Sequence, residues 1–219
     1  MVTAIWYVLR TGCPWRDVPA LFGPWSSVYT RWRRWCASGL WAKLLALLAR
    51  GAKGQLRHLD CSHIKLHHHG ANPPGGQAKH AIGRTKGGIN TKLGAVVDAL
   101  GRAVALCLAP GQQHDLKAVL PLVPALRRKC AVADKGFDAD NFRALLRGEC
   151  ARTCIASRRN RRQPTPFHRG YYRRRHHVEN FFARIKRFRR VATRYDKLAS
   201  SFLGFVQFAA VLDWLTHEV

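Results

Sequence analysis

Residues 92–109 read Lys92-Leu93-Gly94-Ala95-Val96-Val97-Asp98-Ala99-Leu100-Gly101-Arg102-Ala103-Val104-Ala105-Leu106-Cys107-Leu108-Ala109. Two apolar runs flank Leu100-Gly101-Arg102, and that pattern predicts two strands, 92–99 and 103–109, joined by a tight turn. Upstream, 56–66 predicts a further strand. Downstream the rhythm changes to a helix over 114–126, a buried strand over 130–134, a helix over 138–147 that Asp138 can cap, and a short strand over 154–156. Two helices, 170–190 and 197–217, complete the pattern. Three strands followed by alternating helices and strands define an α/β class: a mixed sheet with helices on its faces. The Gly- and His-rich stretch 67–88 is expected as an exposed, mobile loop.

Ahead of this core, residues 1–50 read as helices: 4–9, 15–22 after Pro14, and a long one opening at Pro24-Trp25-Ser26-Ser27, where a Ser hydroxyl can cap. In the last, Arg31, Arg33 and Arg34 alternate with Trp32 and Trp35. A helix-turn-helix-like module with a basic face and a plain helical cap on the main domain both fit. Gly51 to Gly54 reads as a linker, dividing the chain into a helical, partial DNA-binding domain at 1–50 and a core domain at 51–219.

The chain carries 38 Lys and Arg against 12 Asp and Glu, a formal charge of +26, which points to a polyanionic partner. A hydrophobic content of 47% with seven Trp excludes a disordered basic tail. No apolar run of membrane-spanning length and no signal-peptide pattern after Met1 is evident, so no membrane is expected, and a cytosolic location with reduced, buried cysteines is. The acids are scarce: three Glu, at 149, 179 and 218, and nine Asp. A site needing several carboxylates must draw on that short supply.

Asp60 ends the apolar run Leu56-Arg57-His58-Leu59, and Asp134 ends Ala131-Val132-Ala133. Burying an ionised carboxylate costs several kcal/mol unless it pairs with a cation or a metal, so each is either an ion-pair partner of an arginine or a functional group. Glu179 lies inside an expected helix. At about 100° per residue, Tyr172, Arg175 and Lys186 fall within roughly 40° of it, giving one stripe of Tyr, Arg, Glu and Lys. Val178, Phe181, Phe182 and Ile185 flank the stripe, so the helix packs there.

These features, with Leu59-Asp60-Cys61-Ser62, Gly87-Gly88-Ile89-Asn90-Thr91-Lys92, Gly111-Gln112-Gln113-His114-Asp115 and Ala133-Asp134-Lys135-Gly136-Phe137-Asp138, make a specific pattern. The chain resembles the DDE transposases of bacterial insertion sequences, in the insertion-sequence-five branch, whose Tyr, Arg, Glu, Lys signature matches Tyr172, Arg175, Glu179 and Lys186. The resemblance implies an RNase H-like core that moves an insertion element, and a chain that begins inside the family's N-terminal helical domain. The family usually has Ser or Thr where Cys61 stands; a neighbour on a strand points to the opposite face, so the exchange is expected to be tolerated.

Phosphodiester transfer of this kind calls for two hard cations. Asp60 is the expected bridging ligand, Asp134 the ligand of one Mg²⁺ (or Mn²⁺) and Glu179 of the other. Water would cut at the element's end and the freed 3′-hydroxyl would join target DNA. Arg175 and Lys186 would contact phosphate, and Tyr172 would stack or hydrogen-bond there. Residues 152–197 hold 16 Lys and Arg, and the expected DNA contacts are Arg158, Arg159, Arg161, Arg162, Arg187, Arg189 and Arg190, with Arg31, Arg33 and Arg34 in the helical segment. The partners expected are double-stranded DNA, at the element's ends and at the target, and a second copy of the chain on that DNA, at the nucleoid. A shortened derivative that binds DNA without cutting is the alternative; a ribosomal-type RNA-binding protein would explain the charge but not the three carboxylates.

Other features carry less. His67, His68 and His69 with His58, His63 and His80, and Cys150 with Cys154, lack the paired spacing of a zinc site. The glycine pairs lack a phosphate-loop pattern, so no nucleotide cofactor is expected. His114 and Asp115 are placed near the site, with Asp115 as a helix cap.

Overall fold

A computed structural model describes residues 1–216. Its centre is a seven-stranded mixed sheet built on β1 (Leu56–Leu66) and β3 (Gly88–Val97). One edge of β3 pairs antiparallel with β1; the other is shared by β2 (Gly83–Thr85) and β4 (Ala103–Pro110). On the far edge of β1, β5 (Cys130–Ala133) pairs parallel with residues 56–59 and β7 (Thr193–Arg194) with 65–66, while β6 (Arg152–Ile155) continues outward from β5. This mixed sheet with flanking helices is RNase H-like. The turn between β3 and β4 forms as expected. Gly101 takes a left-handed φ of 82°, and the buried Asp98 carboxylate accepts from the backbone N–H groups of Leu100 and Arg102 at 3.0 Å and from the Arg102 guanidinium at 2.7 Å. Burial alone would raise the Asp98 pKa, but these donors hold it below the usual carboxylate range.

The helical segment consists of α1 (Val2–Thr11), α2 (Trp25–Ala37) and α3 (Leu40–Ala49). Three details differ from expectation. The helix expected over 15–22 is two 3₁₀ turns, Trp15–Asp17 and Ala20–Phe22, because Pro19 cannot donate to a continuous helix. No serine side chain caps α2, whose N-cap position is Pro24. Gly39, at φ 67°, separates α2 from α3.

In the core, α4 (Asp115–Ala118) is a single turn followed by 3₁₀ structure over Leu120–Leu126, since Pro121 and Pro124 interrupt the helix expected there. Its cap is the His114 imidazole, which accepts from Leu116 N–H; Asp115 instead pairs with Lys92 at 2.5 Å. Likewise α5 (Asp140–Gly148) starts two residues late and is not capped by Asp138, whose carboxylate is taken by Arg143 and Arg161. The stretch 67–88 is not structureless: it holds β2, and Gln77 donates to Ala71 C=O at 2.9 Å. Of the cysteines, Cys107, Cys130 and Cys154 are buried, but Cys150 is exposed at a turn.

The helix expected over 170–190 is three pieces: α6 (Arg169–Arg173), α7 (His176–Lys186) and α8 (Arg189–Ala192). Between the first two, Arg174, Arg175, His177 and Val178 bond to the residue three back rather than four, a tighter winding that interrupts the helix between Tyr172 and Glu179. After α7, Phe188 turns extended and buries its ring. The last helix, α9 (Ala199–Thr216), has the 18 residues and the apolarity of a membrane span, contrary to the sequence reading, but lies in the core, where its buried Asp213 accepts from Arg184 at 2.7 Å. His217 falls outside the described residues.

One hydrophobic cluster runs from α1–α3 through α9 to β3, β4 and α7. Trp32 of α2 stacks on Phe205 of α9 at 4.0 Å, and Trp41 of α3 lies 4.3 Å from Phe208. A second cluster fills the opposite face of the sheet beneath the 120–126 turns and α5. The approach of α2 to α9 depends on Gly204, where a Cβ would lie 2.6 Å from Cys36 Sγ and 3.2 Å from the Trp32 ring. Gly204→Val should therefore overpack this contact and cost about 1–3 kcal/mol, measurable as a lower denaturation midpoint with an unchanged slope.

Candidate active site

The β1–β5 register sets the site. His58 pairs with Val132 and Leu59 with Ala133, so Asp60 and Asp134 come next in line at the same end of two adjacent parallel strands. Neighbouring strands lie about 4.8 Å apart and side chains alternate between faces, so the two carboxylates share a face. Cys61 points the other way and packs with Cys107 in the second cluster, as the alternation requires. Val178, Phe181, Phe182 and Ile185 are buried and lay α7 over the face that carries Asp60.

Asp60, Asp134, Glu179, Tyr172 and Arg175 converge there through two sets of contacts. Arg175 reaches Asp60 with one nitrogen, Nη1–Oδ2 3.4 Å, and Glu179 with the other, Nη2–Oε1 2.7 Å. Tyr172, on α6, donates its hydroxyl to Asp134 Oδ1 at 3.2 Å. Lys186 stands one helix length away, its ammonium on Ser62 Oγ at 2.7 Å and the His63 carbonyl at 3.3 Å. Ser62 was not singled out beforehand, although its spacing of two from Asp60 places it on the same face.

The electrostatics follow from this packing. Burial pushes the Asp60 carboxyl up to about 6; the Cys61 N–H and Arg175 act against this, and the charges of Asp134 and Glu179 add to it. Burial would lower the Arg175 pKa, but the Glu179 charge raises it. Burial lowers Lys186. His58, fully buried and with both ring nitrogens unpartnered, is pushed down to about 3 and is neutral. Among the described residues, the one set of three such donors within 4.8 Å of one another is His67, His68 and His69 at the surface. The three carboxylates therefore stand farther apart, with the Arg175 guanidinium between Asp60 and Glu179. That guanidinium places positive charge against two of the three carboxylates, and their hard oxygen donors would suit a divalent ion such as Mg²⁺.

The basic residues divide into three groups. Arg158, Arg159 and Asn160 line a cleft of 340 Å³ with Asp134, and Arg158 donates to the Lys135 and Gly136 carbonyls beside it. Arg31, Arg33 and Arg34 on α2, and Arg162, Arg187 and Arg189, are exposed. Arg161 is engaged by Asp138 and Asp140. Arg190 is a correction to the sequence reading: it is 5% exposed, paired with Asp196 at 3.0 Å and bonded to the Cys13 carbonyl, so it holds the fold and is not open to DNA.

Two acids thus stand at the ends of adjacent parallel strands of an RNase H-like sheet, with a third on the covering helix. Comparison with known proteins agrees. A "Transposase DDE domain" matches residues 51–213, and a "Putative transposase of IS4/5 family" domain matches residues 1–45. A Brucella ovis protein named "Putative transposase for insertion sequence element IS6501" is 34% identical over 129 residues, 58% of this chain and 99% of its own length. An uncharacterized protein of Sinorhizobium fredii is 34% identical over 31% of this chain and 54% of its own length. A 16.2 kDa protein of the insertion element IS402 from Burkholderia cepacia is 50% identical over 22% of this chain and 33% of its own length. No solved structure matches. The chain belongs to the DDE transposases of the insertion-sequence IS4/5 group.

Two measurements probe this arrangement. Because the Asp60 pKa is raised in the folded state, its charge opposes folding once pH passes from about 4 to about 6. In metal-free buffer, Asp60→Asn should therefore stabilise the protein by on the order of 2 kcal/mol at pH 8 and by nothing near pH 4, read from denaturation midpoints. Arg190→Ala should cost about 3–5 kcal/mol by stranding Asp196, whereas Arg189→Ala should leave stability within about 0.5 kcal/mol.

Proposed function

We propose that this transposase cuts DNA at the ends of its element and joins the freed 3′-hydroxyl to target DNA, using two Mg²⁺ ions for which Mn²⁺ can substitute. Asp60 would be shared between the ions, Asp134 would hold one and Glu179 the other. What carries this reading is the single guanidinium that bridges Asp60 and Glu179, a cation already seated among the expected ligands. When bound, the ions supply a polarised attacking oxygen and neutralise charge on the leaving oxygen.

The side chains have separate tasks. Arg175, released from the carboxylates, forks onto the phosphate beside the cut, and Lys186 adds a point charge from its place over Ser62. The Tyr172 hydroxyl fixes the orientation of Asp134. Arg158, Arg159 and Arg162 guide the backbone toward Asp134, while Arg187 and Arg189 extend that track. Residues 1–50 act as a DNA-binding domain through Arg31, Arg33 and Arg34, and 51–219 as the catalytic domain. Two ends must be held together, so the working form is a homodimer on double-stranded DNA, with no nucleotide cofactor, at the bacterial nucleoid in the cytoplasm.

A nicking and strand-transfer assay on duplexes carrying the element's own ends, with Mg²⁺, tests this. Glu179→Gln should reduce nicking about a thousandfold or more while leaving DNA affinity within about twofold. Wild type that binds these duplexes and cuts no better than Glu179→Gln would make the chain a DNA-binding derivative without catalysis. Lys186→Ala should lower the slope of log affinity against log salt by about one, as the loss of one phosphate contact requires.

A further inference from the structure

A cleft of 590 Å³ lies away from the carboxylates, where the helical segment meets the 194–201 segment, and falls within the range of about 300–1,000 Å³ usual for ligand sites. Its walls are aromatic. Trp15, Trp25 and Tyr29 come from the N-terminal segment, and Tyr195 directly follows β7. Trp15 and Tyr29 lie 5.4 Å apart, and Trp15 is backed by Phe205 at 5.9 Å. Trp25 and Tyr29 each carry an arginine over the ring: Arg16 lies 5.6 Å from the Trp25 centroid, and Arg33 lies 5.9 Å from that of Tyr29 and donates to its hydroxyl at 3.1 Å. Lys197 adds a third exposed cation, and Asp196, the acid among the described lining residues, is already neutralised by Arg190.

Aromatic walls rimmed by exposed cations suit one chemistry above others: a nucleobase packed on an aromatic side chain with its phosphate on arginine. Along one face of β1, Arg175 lies at Asp60 and Lys186 at Ser62, so the proposed phosphate contacts run toward the Leu66 end of the strand. Tyr195 follows Arg194, which pairs with Leu66, six residues along β1 from Asp60 or about 20 Å. That separation corresponds to about six base pairs.

We infer that this cleft, between the helical segment and Tyr195, holds one unpaired nucleotide of the bound DNA about six base pairs from the bond cut at Asp60. The inference rests on the proposed DNA cleavage reading and adds a second point of contact to it.

The test uses the full chain without divalent ions, so that no cutting intervenes, and a duplex of about 20 base pairs with one bulged 2-aminopurine, set beside the same duplex fully paired. Binding should quench the bulged 2-aminopurine, and the bulged duplex should bind more tightly than the paired one. Trp25→Ala, at a side chain on the rim, should abolish the quenching and weaken the bulged duplex about five- to hundredfold while changing the paired duplex less than about twofold. Tyr29→Ala should act in the same direction and guards against a folding defect peculiar to one variant. Equal affinity for the two duplexes without quenching, or equal weakening of both by Trp25→Ala, overturns the inference and leaves the carboxylate site untouched. Retained nicking by Glu179→Gln would instead strike the catalytic reading and spare the cleft.

Discussion

The parallel pairing of β1 with β5 is the constraint on which the rest depends. Because Leu59 faces Ala133, the two strands end level with one another, and the next residue of each is an aspartate on the same face. A slip of one residue would send one carboxylate into the second hydrophobic cluster, where Leu59, Ala131 and Ala133 now pack. The site is thus protected by the apolar residues around it: the register that buries Leu59 and Ala133 is the one that presents Asp60 and Asp134. The covering helix is held by the same logic, since Val178, Phe181, Phe182 and Ile185 must face inward.

A chain with +26 charges has to place its acids carefully. Asp98 closes the β3–β4 turn with Arg102, Asp138 collects Arg143 and Arg161, Asp196 neutralises Arg190, and Asp213 takes Arg184. Each satisfies a cation inside the fold where an unpaired one would cost several kcal/mol. Most other cations are left on the surface for an external anion. The balance runs the opposite way for Asp60, where burial raises the pKa more than the Cys61 N–H and Arg175 lower it, and the charges of Asp134 and Glu179 add to the rise.

The parts legible from the sequence were those set by strong local signals. Strand 56–66, the Leu100-Gly101-Arg102 turn and the buried strand at 130 follow from apolar runs and one glycine, and they were read close to their true bounds. Helices were over-extended wherever a proline lay inside an apolar run, as at Pro19, Pro121 and Pro124. The break at Arg174 had no such marker, so the stripe that links Tyr172 to Glu179 does not lie on one continuous helix. Tyr172 nevertheless reaches Asp134 at the neighbouring strand end. Arg190 was misread since a run of cations gives no sign of which one turns inward. Asp196, six residues later, was the partner to look for. The two-residue strand β7 exists through pairing alone and has no sequence signature.

The stretch that reads as a flexible connection, Gly51 to Gly54, is fastened at both ends of its path. Arg102 donates to the Gly51 carbonyl at 3.1 Å, and the Lys53 N–H donates to Asp98 at 3.0 Å. Together with a core that runs from Ile5 and Trp32 to Phe205 and Trp214, this makes the first fifty residues part of the same cooperative unit as the sheet. Such a molecule melts in one transition, and removing its N-terminal helices would strip the apolar cover from α9 and favour aggregation over a smaller working enzyme.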